Sequence, residues 1–163
     1  MGKEIGMIQL IRGFKDILPG EVELWQQIEK TARYLFEDFG FKEIRIPIME
    51  RTELFARSIG EDTDIVEKEM YTFPDRKGDL ITLRPEATAS ICRSYIQHKL
   101  YAIDPVRKFY TIGPMFRRER PQKGRYRQFY QINAEIFGVP SGLADVQLIF
   151  LLVSLFSRLQ VPD

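Results

Sequence analysis

The chain has 163 residues, of which 44% are hydrophobic and 29% charged, a balance that is typical of one folded domain and excludes wholesale disorder. Its formal net charge is only +1, which argues against a protein that binds nucleic acid over its whole surface. A single cysteine, Cys92, excludes an intramolecular disulfide and fits a reducing compartment. Because His98 is the only histidine, a Cys/His zinc site is not expected either.

The sequence gives no sign of a targeting or membrane segment. The first 13 residues lack the apolar core of a signal peptide. The longest apolar run, residues 148–156, is far shorter than the roughly 20 residues that a membrane span requires. We therefore expect a cytoplasmic domain that makes no contact with a membrane.

Hydrophobic periodicity predicts the elements of the N-terminal half. They are a helix over 21–39, a strand over 41–49, a short helix over 52–58 and a hairpin of strands 70–73 and 79–84. The first helix is bounded by Pro19-Gly20 and Gly40, as helix ends often are. Within the strand, Pro47 indicates a sheet edge or a strand end, because proline has no backbone N–H.

In the C-terminal half the same periodicity predicts a helix over 86–99, long strands over 106–119 and 125–138, and a helix over 141–159. Ser141 is a candidate N-cap of the last helix. The polar loop between the long strands makes them a β-hairpin with a charged tip. Helices that alternate with hairpin-joined strands indicate an α+β fold, in which an antiparallel β-sheet is flanked by helices.

Side chains of the returning strand divide into two faces, because successive residues point to opposite sides. From Tyr130 onward the even positions are apolar and suit packing against helices. The odd positions are Arg127, Phe129, Gln131, Asn133, Glu135 and Phe137. On the outgoing strand Arg117 and Glu119 share the parity of Gly113, which leaves space on that face because it has no side chain.

The odd face offers two kinds of chemistry. Arginines and a ring near the tip suit a nucleoside triphosphate, whereas the amide and carboxylate farther along suit an ammonium or imidazole group. Glu135 lies between Ala134 and Ile136, so we expect it to be substantially desolvated, with a cationic ligand or an arginine as its partner. The alternative is a solvated polar face with ion pairs at its rim.

The passage FYTIGPMFRRERPQKGRYRQFYQINAEIFG (109–138) resembles motif 2 of the class II aminoacyl-tRNA synthetases, and closely that of the histidyl-tRNA synthetases. RGFKDILP (12–19) resembles the N-terminal signature of that family, and GFKEIRIPIME (40–50) resembles motif 1 with its proline. GEDTDIVEKEMYTF followed by TLRPEATA resembles the stretch before motif 2, with Ala87 where glycine is usual. The resemblance implies part of the class II catalytic-domain fold, with motif 1 at about 34–50 and motif 2 at about 106–138.

The same resemblance implies roles for individual residues. Histidine would be bound by Glu86, Thr88, Arg117, Gln131 and Glu135. ATP would be bound by Arg117, Glu119, Arg125 and Phe129. The acceptor end of tRNA would lie against Arg120, Gln122 and Lys123. Arg117 would be the catalytic residue, since it would hold both the α-phosphate of ATP and the carboxylate of histidine.

The implied activity is ATP-dependent activation of histidine and its transfer to tRNA(His). Mg²⁺ would be held mainly through the ATP phosphates. The protein alone would hold no metal ion. The acids Glu61, Asp62 and Asp64 resemble a divalent-metal cluster, but we interpret them as a solvated loop. The resemblance also implies a homodimer formed through the motif 1 region.

Motif 3, its arginine and an anticodon-binding domain are not found within the 163 residues. We therefore expect that this chain alone charges tRNA poorly or not at all. One alternative is the related regulatory subunit of ATP phosphoribosyltransferase, which would bind histidine without activating it; the intact loop ERPQKGRYRQF argues against it. Another is a general nucleic-acid-binding module, which the near-zero net charge does not favour.

Overall fold

The structure is a computed structural model that describes residues 7–60, 63, 68–120 and 122–161. In this part of the chain the α-helices are α1 (Val22–Asp38), α2 (Thr52–Ile59), α3 (Thr88–Gln97) and α4 (Leu143–Arg158), and a 3-10 helix covers Leu100–Ala102. The strands are β1 (Lys42–Glu43), β2 (Met49–Arg51), β3 (Tyr71–Pro74), β4 (Leu80–Leu83), β5 (Arg107–Phe116) and β6 (Gln128–Phe137).

The strands form two small sheets, and the predicted α+β class is confirmed. In the first sheet, with strand order β1-β5-β6, the long hairpin is antiparallel from Arg107↔Phe137 to Phe116↔Gln128. Its short edge strand β1 runs parallel to β5, a detail that the prediction of an antiparallel sheet did not include. The second sheet, with order β2-β4-β3, is antiparallel and contains the predicted hairpin of β3 and β4.

The single strand predicted over residues 41–49 is wrong. The chain forms β1, leaves the first sheet, and joins the second sheet as β2. Two causes act at the break: Pro47 cannot donate to a ladder, and the carbonyl oxygens of Ile46 and Pro47 accept hydrogen bonds from the guanidinium of Arg84, at 2.8 and 3.3 Å. The apolar alternation was correct, but a side chain distant in sequence ends the strand.

The even face of β6 contacts the main hydrophobic cluster, as its alternation predicts. Ile132, Ala134 and Ile136 pack against a buried cluster from α1, β5 and α4. At its centre the rings of Phe36 and Tyr110 stack at 4.5 Å with an interplanar angle of 7°. This cluster holds α1 and α4 on one face of the hairpin and leaves the opposite face for the site.

The odd face of the hairpin contacts α3. Phe129 and Phe137 lie against a second buried cluster that contains Ala87, Ile91 and Met115. Helix α3 begins two residues later than predicted, because the carboxylate of Glu86 accepts hydrogen bonds from the first backbone N–H groups of the helix. The N-terminal end of α3 therefore lies over the polar part of β6.

Helix α4 is apolar on its outer side as well as its inner side. Leu151 and Leu155 are buried, whereas Val146, Ile149 and Phe150 are each more than 60% exposed. The predicted N-cap is wrong: Gly142 occupies that position, and Ser141 lies one residue too early for its side chain to cap the helix. Among the described residues no helix is both long and apolar enough to cross a membrane.

The guanidinium of Arg84 connects the two sheets. The side chain is 4% exposed and donates to the carbonyl oxygens of Ile46 and Pro114, at 2.8 and 2.9 Å. The backbone of Arg84 donates to Ile48 and accepts from Phe116. Burial lowers the pKa of this guanidinium below its ordinary value. Backbone carbonyl oxygens take the place of solvent around the charge.

Replacing Arg84 by methionine is expected to lower the free energy of unfolding by about 2–4 kcal/mol, because buried carbonyl oxygens lose their donors. The same replacement at Arg45, whose side chain is 83% exposed, is the matched control. It is expected to lower the free energy of unfolding by less than about 0.5 kcal/mol. Urea unfolding followed by the fluorescence of Trp25, the only tryptophan, measures both changes. Equal unfolding midpoints for the two variants would show that Arg84 does not hold the sheets together.

Candidate active site

The residues expected to bind ATP line a single cavity at the tip of the β5–β6 hairpin. Arg117, Glu119, Arg125 and Phe129 surround a space of about 410 Å³, together with Gly124 and Tyr126. This volume lies within the range of pockets that hold small molecules and cofactors. The hairpin supplies all of these residues, so their proximity follows from the pairing of its strands.

Glu119 shares its carboxylate between the two arginines of this cavity. Its oxygens lie 3.9 Å from the guanidinium of Arg117 and 3.4 Å from that of Arg125. The guanidinium of Arg117 also lies over the ring of Phe129, at 5.2 Å from the centroid. The cavity therefore combines cations with an aromatic face, and part of its positive charge is already balanced by Glu119.

The tip of the hairpin faces solvent. Arg120, Gln122 and Lys123 are all exposed, and Gly124 turns the chain with a φ of +79°. The backbones of Gln122 and Arg125 exchange hydrogen bonds of 3.4 and 2.9 Å across this turn. The residues expected to meet a tRNA end are thus grouped beside the cavity and are accessible from outside.

Arg127 has a structural role on the odd face. Its backbone N–H donates to the carbonyl oxygen of Gly13 at 2.6 Å, and its guanidinium donates to the carbonyl oxygens of Arg12 and Glu119, both at 3.3 Å. These bonds fasten the N-terminal signature segment to the base of the charged tip.

Three of the residues expected to bind histidine form a connected set at the start of α3. The hydroxyl of Thr88 donates to Glu135 at 2.6 Å, and its backbone N–H donates to Glu86 at 2.5 Å. Ala89 donates a second backbone N–H to Glu86, at 3.0 Å. Glu135 is only partly buried, less than the substantial desolvation expected, and among the described residues it accepts from this neutral hydroxyl rather than from an arginine.

Gln131, the fourth of these residues, lies opposite Gly113 in the ladder. The expectation that Gly113 leaves free space is wrong. A Cβ atom at this position would lie 2.7 Å from a terminal nitrogen of Arg84, so the buried arginine fills that space. Sequence reasoning missed Arg84, although an arginine between the apolar residues of β4 and Pro85 was a visible signal.

Arg117 connects the cavity to the histidine set. Its Nε donates to the carbonyl oxygen of Pro85 at 3.0 Å, and Pro85 directly precedes Glu86. The side chain of Arg117 is 23% exposed, and one of its terminal nitrogens also lies 3.9 Å from the carboxylate of Glu119. The arrangement thus places a cationic cavity beside a group of carboxylates and an amide.

Cys92 lies one helical turn after Thr88 on α3 and was not singled out as part of the site. Burial, together with the negative charges of Glu135 and Glu86, raises the pKa of its thiol. His98, in contrast, is exposed at the end of α3, and the acids Glu61, Asp62 and Asp64 lie outside the described residues.

Replacing Glu135 by glutamine is expected to speed the alkylation of Cys92 by iodoacetamide, by roughly two- to fivefold at pH 7.5. Loss of the nearby negative charge lowers the pKa of the thiol, so more thiolate is present at a given pH. Because Cys92 is the only cysteine, mass spectrometry of the whole chain measures the rate directly. Glu29→Gln, on α1, is the control, and an equal rate in both variants would contradict the proximity of Glu135 to Cys92.

Comparison with known proteins identifies the family of the chain. The sequence model of the histidyl-tRNA synthetase family matches residues 13–163. The histidine–tRNA ligase of Desulforapulum autotrophicum is 75% identical over 157 residues, which are 96% of this chain and 37% of that protein. The chain thus spans a little over one third of the length of this curated relative.

Solved structures give the same result. The apo histidyl-tRNA synthetase of S. aureus superposes with a TM-score of 0.78 at 38% identity, over 93% of this chain and 35% of that one. A second structure, from Bacillus halodurans, is described as an ATP phosphoribosyltransferase regulatory subunit/histidyl-tRNA synthetase. It superposes with a TM-score of 0.82 at 21% identity, over 96% of this chain and 39% of that one, and it shares the fold. On the family match and these likenesses, the chain belongs to the histidyl-tRNA synthetase family.

Proposed function

We propose that this chain supplies the histidine- and ATP-binding surface of a histidine–tRNA ligase. The observation that carries the proposal is the bond from Arg117 to the carbonyl oxygen of Pro85, which joins the cationic cavity to the carboxylates of Glu86 and Glu135. A ligand that bridges both parts needs a carboxylate or phosphate at one end and N–H donors at the other. Histidine beside ATP has this pattern.

Activation requires the carboxylate of histidine to attack the α-phosphorus of ATP, so negatively charged oxygens must approach one another. Arg117 would hold both groups and stabilise the charge that spreads in the transition state. Arg125, whose side chain is 64% exposed at the mouth of the cavity, would reach the outer phosphates. Phe129 would stack on the adenine ring, and Glu119 would lie at its edge.

Mg²⁺ would add positive charge around the phosphates. The carboxylate that lines the cavity, that of Glu119, is engaged by Arg117 and Arg125. Such a donor set fits a metal ion held mainly through the phosphates of ATP rather than through protein ligands.

Selection of histidine would depend on the polar groups near the N-terminal end of α3. The ammonium and imidazole groups of histidine would form hydrogen bonds with Glu86, Thr88, Gln131 and Glu135. A site made of buried polar groups can reject ligands that leave those groups unpaired by roughly 10⁴–10⁵-fold. The exposed tip with Arg120, Gln122 and Lys123 would then contact the acceptor end of tRNA(His) in the cytoplasm.

The alternative, a regulatory subunit that binds histidine without activating it, shares this fold, so the fold does not separate the two functions. Two observations favour the ligase. The tip retains a cavity with Arg117, Arg125 and Phe129, which a regulator would not need, and the 75% identical relative is a histidine–tRNA ligase.

Replacing Arg117 by lysine in the complete gene product is expected to lower kcat/KM for histidine-dependent ATP–pyrophosphate exchange by roughly 10²–10³-fold. Lysine keeps a charge but loses the fork that reaches two groups at once. Arg118→Lys is the control, because Arg118 lies over the ring of Tyr71, away from the cavity. Full exchange by the Arg117 variant would refute its assigned role.

We also propose a homodimer formed through the motif 1 region, residues 34–50. Tyr34, Ile48 and Met49 in this segment are 55%, 46% and 49% exposed, an apolar surface that suits a partner copy. Ile48→Glu is expected to shift sedimentation velocity toward monomer, whereas Arg45→Glu is not. A dimer that survives Ile48→Glu but dissociates in Phe150→Glu would place the interface on α4 instead.

A further inference from the structure

The chain makes a tight turn over residues 11–14, beside the charged tip of the hairpin. The backbone N–H of Phe14 donates to the carbonyl oxygen of Ile11 at 3.1 Å, and Gly13, the third residue of the turn, has a φ of +89°. A glycine with positive φ at this position is typical of a type II turn. Arg12 therefore occupies an outer corner of the turn, where it is exposed.

Contacts on two sides hold this turn in place. The guanidinium of Arg127 donates to the carbonyl oxygens of Arg12 and Glu119, both at 3.3 Å, so one side chain joins the turn to the base of the tip. On the other side the ring of Phe14 lies edge-on to the ring of Tyr71, with 6.5 Å between the centroids. The backbone of Arg12 is thus fixed beside the tip, and these contacts do not use its guanidinium.

Arg12 adds to the free positive charge of the tip. No described residue forms a hydrogen bond or an ion pair with the side chains of Arg12, Arg120 and Lys123. Glu119 is the only acid of the tip (residues 116–127), and it is already shared between two arginines of the cavity. Asp16 is the only acid within residues 7–20. Cations therefore exceed free carboxylates on this surface, which suits an anionic ligand.

The position of Arg12 indicates a ligand larger than ATP. Arg12 is not among the described residues that line the cavity with Arg117 and Phe129. A polyanion whose end enters that cavity would leave it past the tip and the turn. A polynucleotide carries one phosphate per nucleotide, and the planar guanidinium of arginine binds a phosphate through two parallel N–H groups.

We propose that Arg12 binds a backbone phosphate of the acceptor strand of tRNA, which extends the surface of Arg120, Gln122 and Lys123 onto the N-terminal turn. This inference rests on the proposed function. Arg12 is a positioning residue, since it holds the strand whose end reaches the cavity and takes no part in forming the adenylate. A phosphate contact carries no base information, so Arg12 contributes affinity rather than sequence selection.

Binding to a minihelix that contains only the acceptor stem of tRNA(His) tests the contact in the complete gene product. At about 0.15 M KCl, Arg12→Gln is expected to lower the association constant roughly three- to tenfold. It is also expected to reduce the slope of log K against log[KCl] by about 1, because one phosphate contact is lost. The variant keeps the backbone carbonyl oxygen that accepts from Arg127. Fluorescence anisotropy of a labelled minihelix measures both quantities.

Arg76→Gln is the matched control, because Arg76 is exposed in the turn between β3 and β4 and its replacement removes the same charge. It is expected to change neither the association constant nor the slope. Arg12→Lys, which keeps a cation, is expected to restore the slope of the parent protein. An unchanged slope in Arg12→Gln, or equal losses in Arg12→Gln and Arg76→Gln, would overturn the inference.

Kinetics of the two reaction steps separate this inference from the proposed function. Arg12→Gln is expected to raise the KM for tRNA(His) about three- to tenfold and to leave histidine-dependent ATP–pyrophosphate exchange within about twofold of the parent. An unchanged KM for tRNA, or a large fall in exchange, would overturn the role of Arg12 and leave the proposed function standing. Absence of exchange in the parent protein would overturn both.

Discussion

The buried guanidinium of Arg84 is the interaction on which both the fold and the site depend. It donates to Ile46, where the chain leaves the first sheet, and to Pro114 near the C-terminal end of β5. The next residue along, Pro85, offers the carbonyl oxygen that orients Arg117 at 3.0 Å. One buried charge thus fixes the relative position of the two sheets and the direction of the side chain proposed to act in catalysis.

The alternation of β6 made a large part of this arrangement predictable. Side-chain direction in a strand follows from local geometry, so the even positions could be assigned to the helices and the odd positions to a site without knowing the tertiary structure. Ile132 and Ala134 lie in the α1–α4 cluster, and Gln131 and Glu135 lie toward α3. The pairing of β5 with β6 then brings Arg117 close to Phe129.

Three of the features that escaped prediction depend on contacts between residues distant in sequence. The strand predicted over 41–49 is interrupted at Ile46, because the carbonyl oxygen of Ile46 accepts a hydrogen bond from Arg84, 38 residues away. The same guanidinium fills the space that Gly113 leaves, so the glycine serves internal packing rather than ligand access. Likewise the hydroxyl of Thr88, 47 residues from Glu135, provides the partner for that carboxylate. Periodicity within a segment carries no information about such partners.

The polarity of the face along β6 also limits which chemistry the site can perform. Cations are concentrated at the end near the tip, with Arg117 and Arg125, and the carboxylates Glu86 and Glu135 lie at the other end. Electrostatic attraction therefore favours an amino acid bound with its carboxylate toward the tip, where the phosphates of ATP would also be held. In the reverse orientation the carboxylate would meet Glu135, and like charges repel strongly in a partly buried site. In the proposed function, the charge distribution of the hairpin would thus present the α-carboxylate, not the side chain, to the reacting phosphorus.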